Sequence, residues 1–280
     1  MTNPIADPLV EVPDTNATSS VVHLETTPEG AATVILNRPA RRNAFDAELI
    51  AALTEAFETL HGAEGVRVVF LRGAGATFSA GADLDWMRAA VDYTEADNRD
   101  DAYQMARMLK TLWDLPQLTV ALVQGGAFGG GAGLAAACDM ALATADAKFS
   151  FSEVRLGLIA ATISPYVVAA VGPRAARALF ATGQVFDAEH ALRVGLVSEV
   201  VADVGALDEA GRRIAADILA CAPGAVGESK RLVDDVFARP IDHELMEETA
   251  RRIAAARVDA EGQEGVRAFL ERRKPSWAVI

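Results

Sequence analysis

Short apolar runs alternate with longer stretches of helical periodicity over most of the chain. Residues 46–61 carry apolar side chains three and four positions apart, which predicts an amphipathic helix, and residues 94–115 predict another. The apolar runs that predict strands are 21–26, 32–37, 68–71, 118–123, 140–143, 148–152 and 197–201. This alternation predicts a fold of the α/β class.

The two ends of the chain depart from this pattern. Residues 1–20 are rich in Asp, Pro, Asn, Thr and Ser, and we expect a flexible N-terminal tail there. The α/β core is expected over 21–204. Residues 205–280 are mostly helical in pattern, which predicts a separate helical C-terminal region.

Two loops of small residues follow two of the predicted strands. Positions 125–133 hold six glycines, and the loop at 73–84 is also built of small residues. Glycine lets the backbone adopt positive φ and approach a ligand closely. A helix predicted at 131–138 would place free N–H groups at the loop of residues 125–133. The two loops could hold an oxyanion together, or they could serve only to pack a helix closely against the sheet.

Glu153 is a carboxylate in an apolar sequence neighbourhood, with Phe149 and Phe151 before it and Val154 after it. One interpretation is a structural ion pair with Arg155 or another arginine. The other is a general acid/base whose pKa is raised by burial towards working pH. The local sequence alone leaves both open.

Charge and motif content exclude several function classes. The formal net charge of −13 argues against nucleic-acid binding, which depends on Lys and Arg at phosphates. No run approaches the roughly 20 apolar residues of a membrane span, and the first residues lack the pattern of a signal peptide. Cys138 and Cys221 form no metal-type pair, the four histidines are scattered, and we expect no metal, no disulfide and a cytoplasmic protein. The spacing of the glycines does not fit the dinucleotide-binding motif.

Six segments together resemble the crotonase, or enoyl-CoA hydratase/isomerase, superfamily. They are 36–39 (LNRP), 42–44 (RNA), 78–84 (FSAGADL), 125–134 with Cys138 and Asp139, 151–157, and the closing 269–275 (FLERRKP). The resemblance implies a spiral of β-β-α units with a helical C-terminal trimerisation region. It also implies a homotrimer or a dimer of trimers that binds acyl-CoA thioesters, with coenzyme A as part of the substrate and no permanently bound cofactor.

Motif positions in the family imply roles for particular residues. The amides of Ala82 and Gly130 would form the oxyanion hole for the thioester carbonyl, and Glu153 would move the proton. The residues implied in coenzyme A binding are Ala80 and Asp83 at the adenine end, Arg41 and Arg42 near the phosphates, and Lys274 at a neighbouring subunit. A solvated surface is the alternative for the three basic residues.

The chain departs from the hydratase pattern at Gly133, where hydratases of the family usually carry a first glutamate. Single-glutamate members are often enoyl-CoA isomerases. The residues 160–166 resemble instead the subgroup of methylglutaconyl-CoA hydratases. A hydratase is therefore the first hypothesis, a 3,2-enoyl-CoA isomerase the second, and a non-catalytic CoA-ester binder the third. Asp85, or an acid of the helix after Thr94, could replace the missing glutamate.

Overall fold

The computed structural model describes residues 21–278, so the tail expected at 1–20 lies outside the described residues. The strands of this part are β1 (Val22–Thr26), β2 (Ala31–Leu36), β3 (Val68–Gly73), β4 (Leu118–Val123), β5 (Gly126–Phe128), β6 (Met140–Thr144), β7 (Lys148–Ser150), β8 (Phe186–Asp187) and β9 (Glu199–Val201). The helices are α1 (Ala47–His61), α2 (Leu84–Ala90), α3 (Glu95–Trp113), α4 (Gly130–Ala136), α5 (Ser164–Thr182), α6 (Ala188–Val194), α7 (Val204–Leu219), α8 (Pro223–Val236), α9 (His243–Val258) and α10 (Ala260–Glu271).

The strands form a large sheet in the order β1-β2-β3-β4-β6-β9 and a small sheet in the order β5-β7-β8. The first two predicted strands, β1 and β2, pair antiparallel, and every other pair of the large sheet is parallel. Parallel neighbours need crossover connections, and helices provide them, with α1, α3 and α4 on one face of the sheet. Helix α7, which follows the last strand, covers the other face. The α/β class is confirmed.

The side chains of β3 show why the run at 68–71 is continuously apolar. Val69 and Leu71 pack into the cluster under α1, α3 and α4, while Val68 and Phe70 pack into the cluster under α7. A strand buried on both faces cannot alternate apolar and polar residues. The same arrangement holds in β4 and β6.

The helical C-terminal region expected from residue 205 is present as α7 to α10, but its first helix belongs to the sheet layer. Leu207, Ala210 and Ile214 of α7 pack against β3, β4 and β6. Helix α8 is held to the core by Lys230, whose ammonium lies 2.7 Å from the Asp139 carboxylate. Lys230 also donates to the Leu115 carbonyl at 2.6 Å. Asp139, one of the residues in the resemblance to the family, thus has a structural role, because it binds the lysine that holds α8.

Three elements close to the glycine-rich loops were not predicted from the sequence. They are α2, β5 and β8. β5 lies inside the glycine stretch that we expected to be a turn, because a three-residue strand is too short to show a period and forms only through its pairing with β7. Helix α2 begins where the Asp83 carboxylate accepts from the Asp85 amide at 2.9 Å.

Candidate active site

The two small-residue loops lie against each other. Ser79 and Ala127 form an isolated parallel bridge, in which the Ser79 amide donates to the Gly126 carbonyl at 3.1 Å and the Phe128 amide to the Ser79 carbonyl at 3.0 Å. A Cβ at Gly81 would lie 2.7 Å from the Phe128 carbonyl oxygen, so only glycine allows this approach. The backbones on the two sides of the site are thus held together directly.

Ala82 presents a free amide on the first loop. It forms a bridge with Phe45, in which the Phe45 amide donates to Gly81 at 2.7 Å and the Asp83 amide donates to Phe45 at 2.8 Å. These bonds use the groups on either side of the Ala82 N–H. Within residues 21–278 that N–H has no acceptor, and Ala82 is exposed.

Gly130 supplies the second amide as the first residue of α4. The preceding Gly129 has φ 49° and donates to the Ser150 carbonyl at 2.8 Å. The first bond of the helix is from Gly133 to Gly129, at 3.0 Å, so the Gly130 N–H has no acceptor within the described part of the chain. A Cβ at Gly130 would meet Met105 Cε at 2.9 Å and Phe45 at 3.3 Å.

Glu153 begins a short 3₁₀ turn, Glu153–Leu156, directly beside this amide. Its Oε1 is 3.2 Å from the position that a Cβ would take at Gly129. Its Oε2 is buried and accepts no hydrogen bond, and no ion pair of Glu153 occurs in residues 21–278. Burial raises the pKa of Glu153. The expected alternative, an ion pair with Arg155, is absent from this structure.

The place of the missing first glutamate is closed by Ile163. A Cβ built at Gly133 would lie 2.5 Å from Ile163 Cβ, which no side chain tolerates. Ile163 is 2% exposed. The sequence gives no sign of this contact, because Ile163 lies 30 positions along the chain from Gly133 and reaches it only through the packing of α5 on α4.

The sequence model of the enoyl-CoA hydratase/isomerase family matches residues 26–279. The chain belongs to this family. The enoyl-CoA hydratase from Shewanella pealeana is 38% identical, with a TM-score of 0.88 over 92% of this chain and 96% of its own. Pseudomonas aeruginosa AtuE is 37% identical, with a TM-score of 0.88 over 92% of this chain and 99% of its own. The (E)-benzylidenesuccinyl-CoA hydratase of Thauera aromatica is 32% identical over 247 residues, 87% of this chain and 94% of the relative.

These comparisons confirm membership of the crotonase superfamily and its fold. The chain is an enzyme of the enoyl-CoA hydratase/isomerase family, whose substrates are acyl-CoA thioesters. The region that the family model covers includes both amide-bearing loops and Glu153. Among residues 21–278 no group of three or more metal-ligating side chains occurs, and no helix there is long and apolar enough to cross a membrane.

In this enoyl-CoA hydratase/isomerase, most of the residues predicted to bind coenzyme A lie close together beside Ala82. We call this surface, formed by Arg41, Arg42, Ala80 and Asp85, the rim. The Ala80 amide donates to the Arg42 carbonyl at 2.9 Å. The Arg41 guanidinium lies 3.0 Å from Asp85, and both side chains are more than half exposed. The rim therefore carries two arginines close to the loop that presents the free amide of Ala82.

Asp83 differs from its neighbours on this rim because it is buried. Its carboxylate caps α2 and lies 3.2 Å from the Arg38 guanidinium, which also lies 2.7 Å from Asp46. This carboxylate is already engaged within the fold. A contact of Asp83 with coenzyme A stays a prediction.

Lys274 lies away from this rim. The nearby Trp277 donates from Nε1 to the Ala220 carbonyl at 3.3 Å, and its own carbonyl accepts from Arg67, directly before β3. Ala82 follows the opposite end of β3. The structure therefore does not bring Lys274 together with the other predicted site residues within one chain.

Proposed function

We propose that this enzyme adds water to a 2-enoyl-CoA thioester through an enolate. The observation that carries the proposal is the Glu153 carboxylate, which lies beside Gly129 with a buried, unpartnered oxygen. Next to it stand the unpaired amides of Ala82 and Gly130. A buried carboxylate oxygen without a partner destabilises the fold, so a chemical role explains its presence better than a structural one.

The amides of Ala82 and Gly130 are proposed to hold the thioester oxygen. When electron density moves onto that oxygen, each preorganised donor stabilises the developing charge by roughly 3–4 kcal/mol in comparable sites. Glu153 in its neutral form gives a proton to C2 of the chain. Burial keeps this acid protonated to higher pH than an exposed glutamate.

Coenzyme A is proposed to lie along the rim that contains Arg41 and Arg42. The phosphates of coenzyme A are anionic, and guanidinium groups bind phosphate oxygens with charge-assisted hydrogen bonds. Ala80 and Asp83 are proposed for the adenine end. Lys274 would complete the site of a neighbouring protomer.

A branched 2-enoyl ester such as 3-methylglutaconyl-CoA is the proposed substrate. The motif residues Ser152–Arg155 and Ser164–Tyr166 support this choice by their resemblance to that subgroup of hydratases. Several relatives carry the name hydratase, and the one from Thauera aromatica is named for a branched, dicarboxylic enoyl thioester.

A 3,2-enoyl-CoA isomerase is the second candidate, and Ile163 is the observation that favours it. Hydration is easiest with two carboxylates, one for the water and one for C2. Because Ile163 fills the place beside Gly133, no side chain at that position can provide the second. An isomerase needs only one base to move a proton along the chain.

A homotrimer or a dimer of trimers is the proposed assembly. The C-terminal helix α10 leaves large apolar side chains uncovered in one chain, with Phe269 81% exposed. Leu270 and Val266 are exposed on the same helix. Apolar surface of this extent on neighbouring turns indicates a protein contact.

The proposal is tested by offering crotonyl-CoA, 3-methylglutaconyl-CoA and a 3-enoyl-CoA, and by following water addition and double-bond migration separately. We expect water addition to a 2-enoyl-CoA. Migration of the 3-enoyl double bond without any hydration would favour the isomerase. Tight binding of the esters without conversion of any would identify a non-catalytic binder instead.

A further inference from the structure

Water addition needs a group that takes a proton from water, and this enzyme lacks the usual glutamate for that step. An acid that replaces it has to lie near the two amides proposed as the oxyanion hole. It has to come from a segment other than the part of α4 around Gly133, which Ile163 covers. The rim and helix α3 both carry acids beside the first residues of α2, which follow Ala82.

Several acids of these two elements bind partners at the surface. These pairs are Asp85 with Arg41 and Arg88, Asp97 with Thr94, and Asp100 with Arg99. Hydrogen bonds from Arg88 and then Arg41 lower the pKa of Asp85. A carboxylate held in this way is a weak base, so Asp85, which we expected as one replacement, is a poor candidate.

Asp101 of α3 is different from these acids. It is half-buried, it forms no ion pair within residues 21–278, and its one hydrogen bond comes from Trp86 Nε1 to Oδ1 at 3.3 Å. Burial raises the pKa of this carboxyl, and the Trp86 bond lowers it by less. Asp101 is therefore a stronger base than a paired surface aspartate, with one oxygen left for another donor.

The position of Asp101 connects it to both amide donors. Trp86 stands four residues after Ala82, in the helix that begins at the first loop. Met105 is one turn after Asp101 on the same face of α3, and its Cε is the atom that closes the space above Gly130. Asp101 is thus joined through Trp86 to the helix that follows Ala82, and it lies one turn from the residue that covers Gly130.

We propose that Asp101 is the base that takes a proton from the attacking water, a role that rests on the proposed hydration. The water oxygen bonds to C3 of the enoyl chain while one of its protons passes to the Asp101 carboxylate. The C2–C3 π electrons move into the thioester enolate held by Ala82 and Gly130. Neutral Glu153 then gives its proton to C2, and exchange with solvent restores both carboxyl groups.

Two reactions of the same site separate this role from a structural one. Exchange of the C2 protons of butyryl-CoA with D₂O needs only Glu153 and the oxyanion amides, whereas hydration also needs the base for water. Asp101→Asn keeps an oxygen for the Trp86 bond. We expect it to lower hydration about 100-fold or more while proton exchange stays within about threefold of wild type.

Three further variants sharpen the test. Asp100→Asn, on the exposed side of the same helix, should change neither reaction, and Asp101→Glu should recover part of the hydration. Asp101→Asn with full hydration, or with equal losses in hydration and exchange, overturns the role of Asp101. Trp86→Phe, which removes the bond but not the carboxylate, should retain more hydration than Asp101→Asn. A wild-type enzyme that exchanges C2 protons but hydrates no enoyl-CoA overturns the proposed function, and the role of Asp101 with it.

Discussion

Glu153 holds a buried carboxylate oxygen without a partner, and the protein should be less stable for it at neutral pH. Because burial raises the folded-state pKa, the stability contributed by the neutral acid is fully present below the ordinary pKa of 4.5. It is lost as pH rises through the raised value. A residue that destabilises the fold at working pH is typical of an active site.

The raised pKa of Glu153 predicts how stability changes when its charge is removed. Glu153→Gln should raise the melting temperature by about 1–3 °C at pH 8, because the neutral amide is easier to bury than the carboxylate, and should leave it unchanged at pH 4. Thermal unfolding across this pH range measures the difference. Glu55→Gln, at an exposed position of α1, is the control and should show no such trend. A variant less stable than wild type at pH 8 would contradict the argument.

Gly133 is the residue whose meaning changes most with the structure. The sequence shows only that a glutamate is missing, whereas the structure shows that Ile163 has taken its space. Gly133→Ala should lower the melting temperature by about 3–10 °C through overpacking. Gly62→Ala, where nothing lies within 4 Å, is the control and should have little effect.

A double-mutant cycle locates the cause of that loss. Ile163→Ala removes the atoms that an alanine at Gly133 would meet, although it leaves a cavity of its own. The two substitutions together should therefore cost less than the sum of the single changes. Additive losses, or a Gly133→Ala protein as stable as wild type, would show that the two positions do not compete for space.

At the scale of elements, the site depends on how closely the two amide-bearing loops approach. Gly81 has φ 86° and no room for a Cβ against Phe128, whereas Gly65 has φ 91° and open space around it. Gly81→Ala should lower kcat by about 100-fold, because displacing a donor by roughly 1 Å misaligns the oxyanion hole. Gly65→Ala imposes the same backbone strain without the displacement, and its kcat should match wild type. Equal effects of the two variants on kcat would refute the loop argument.

The elements also show what a sequence can and cannot predict here. The helix at 46–61 and the strand at 118–123 were predicted within one residue, because the pattern of apolar residues is a local signal. β5 was missed because its three residues become a strand only by pairing with β7. The same distinction applies to the site. Glu153 and the two loops could be identified from the sequence because they carry motifs. The ion pair of Asp83 with Arg38 and the contact of Ile163 with Gly133 could not, because they join segments far apart in the chain.

At the scale of the whole molecule, the exposed apolar side chains of α10 are the basis of the proposed assembly of several chains. Light scattering after size exclusion should give a mass about three or six times the 29.5 kDa of the chain. Phe269→Asp should shift the protein towards the monomer because it places a charge in an apolar contact. Val91→Asp, exposed near α2, should not. A wild-type protein that runs as a monomer would contradict the assembly.

The central claim is that Glu153 moves the proton of an enolate held by Ala82 and Gly130. The most direct test compares Glu153→Gln with wild type in kcat for the enoyl-CoA that the enzyme converts, with the dissociation constant of a saturated acyl-CoA as the control for binding. We predict a fall in kcat of about 10²–10⁴-fold, as expected for the loss of a general acid, with binding within about threefold of wild type. Full activity of the Glu153→Gln enzyme would contradict the account.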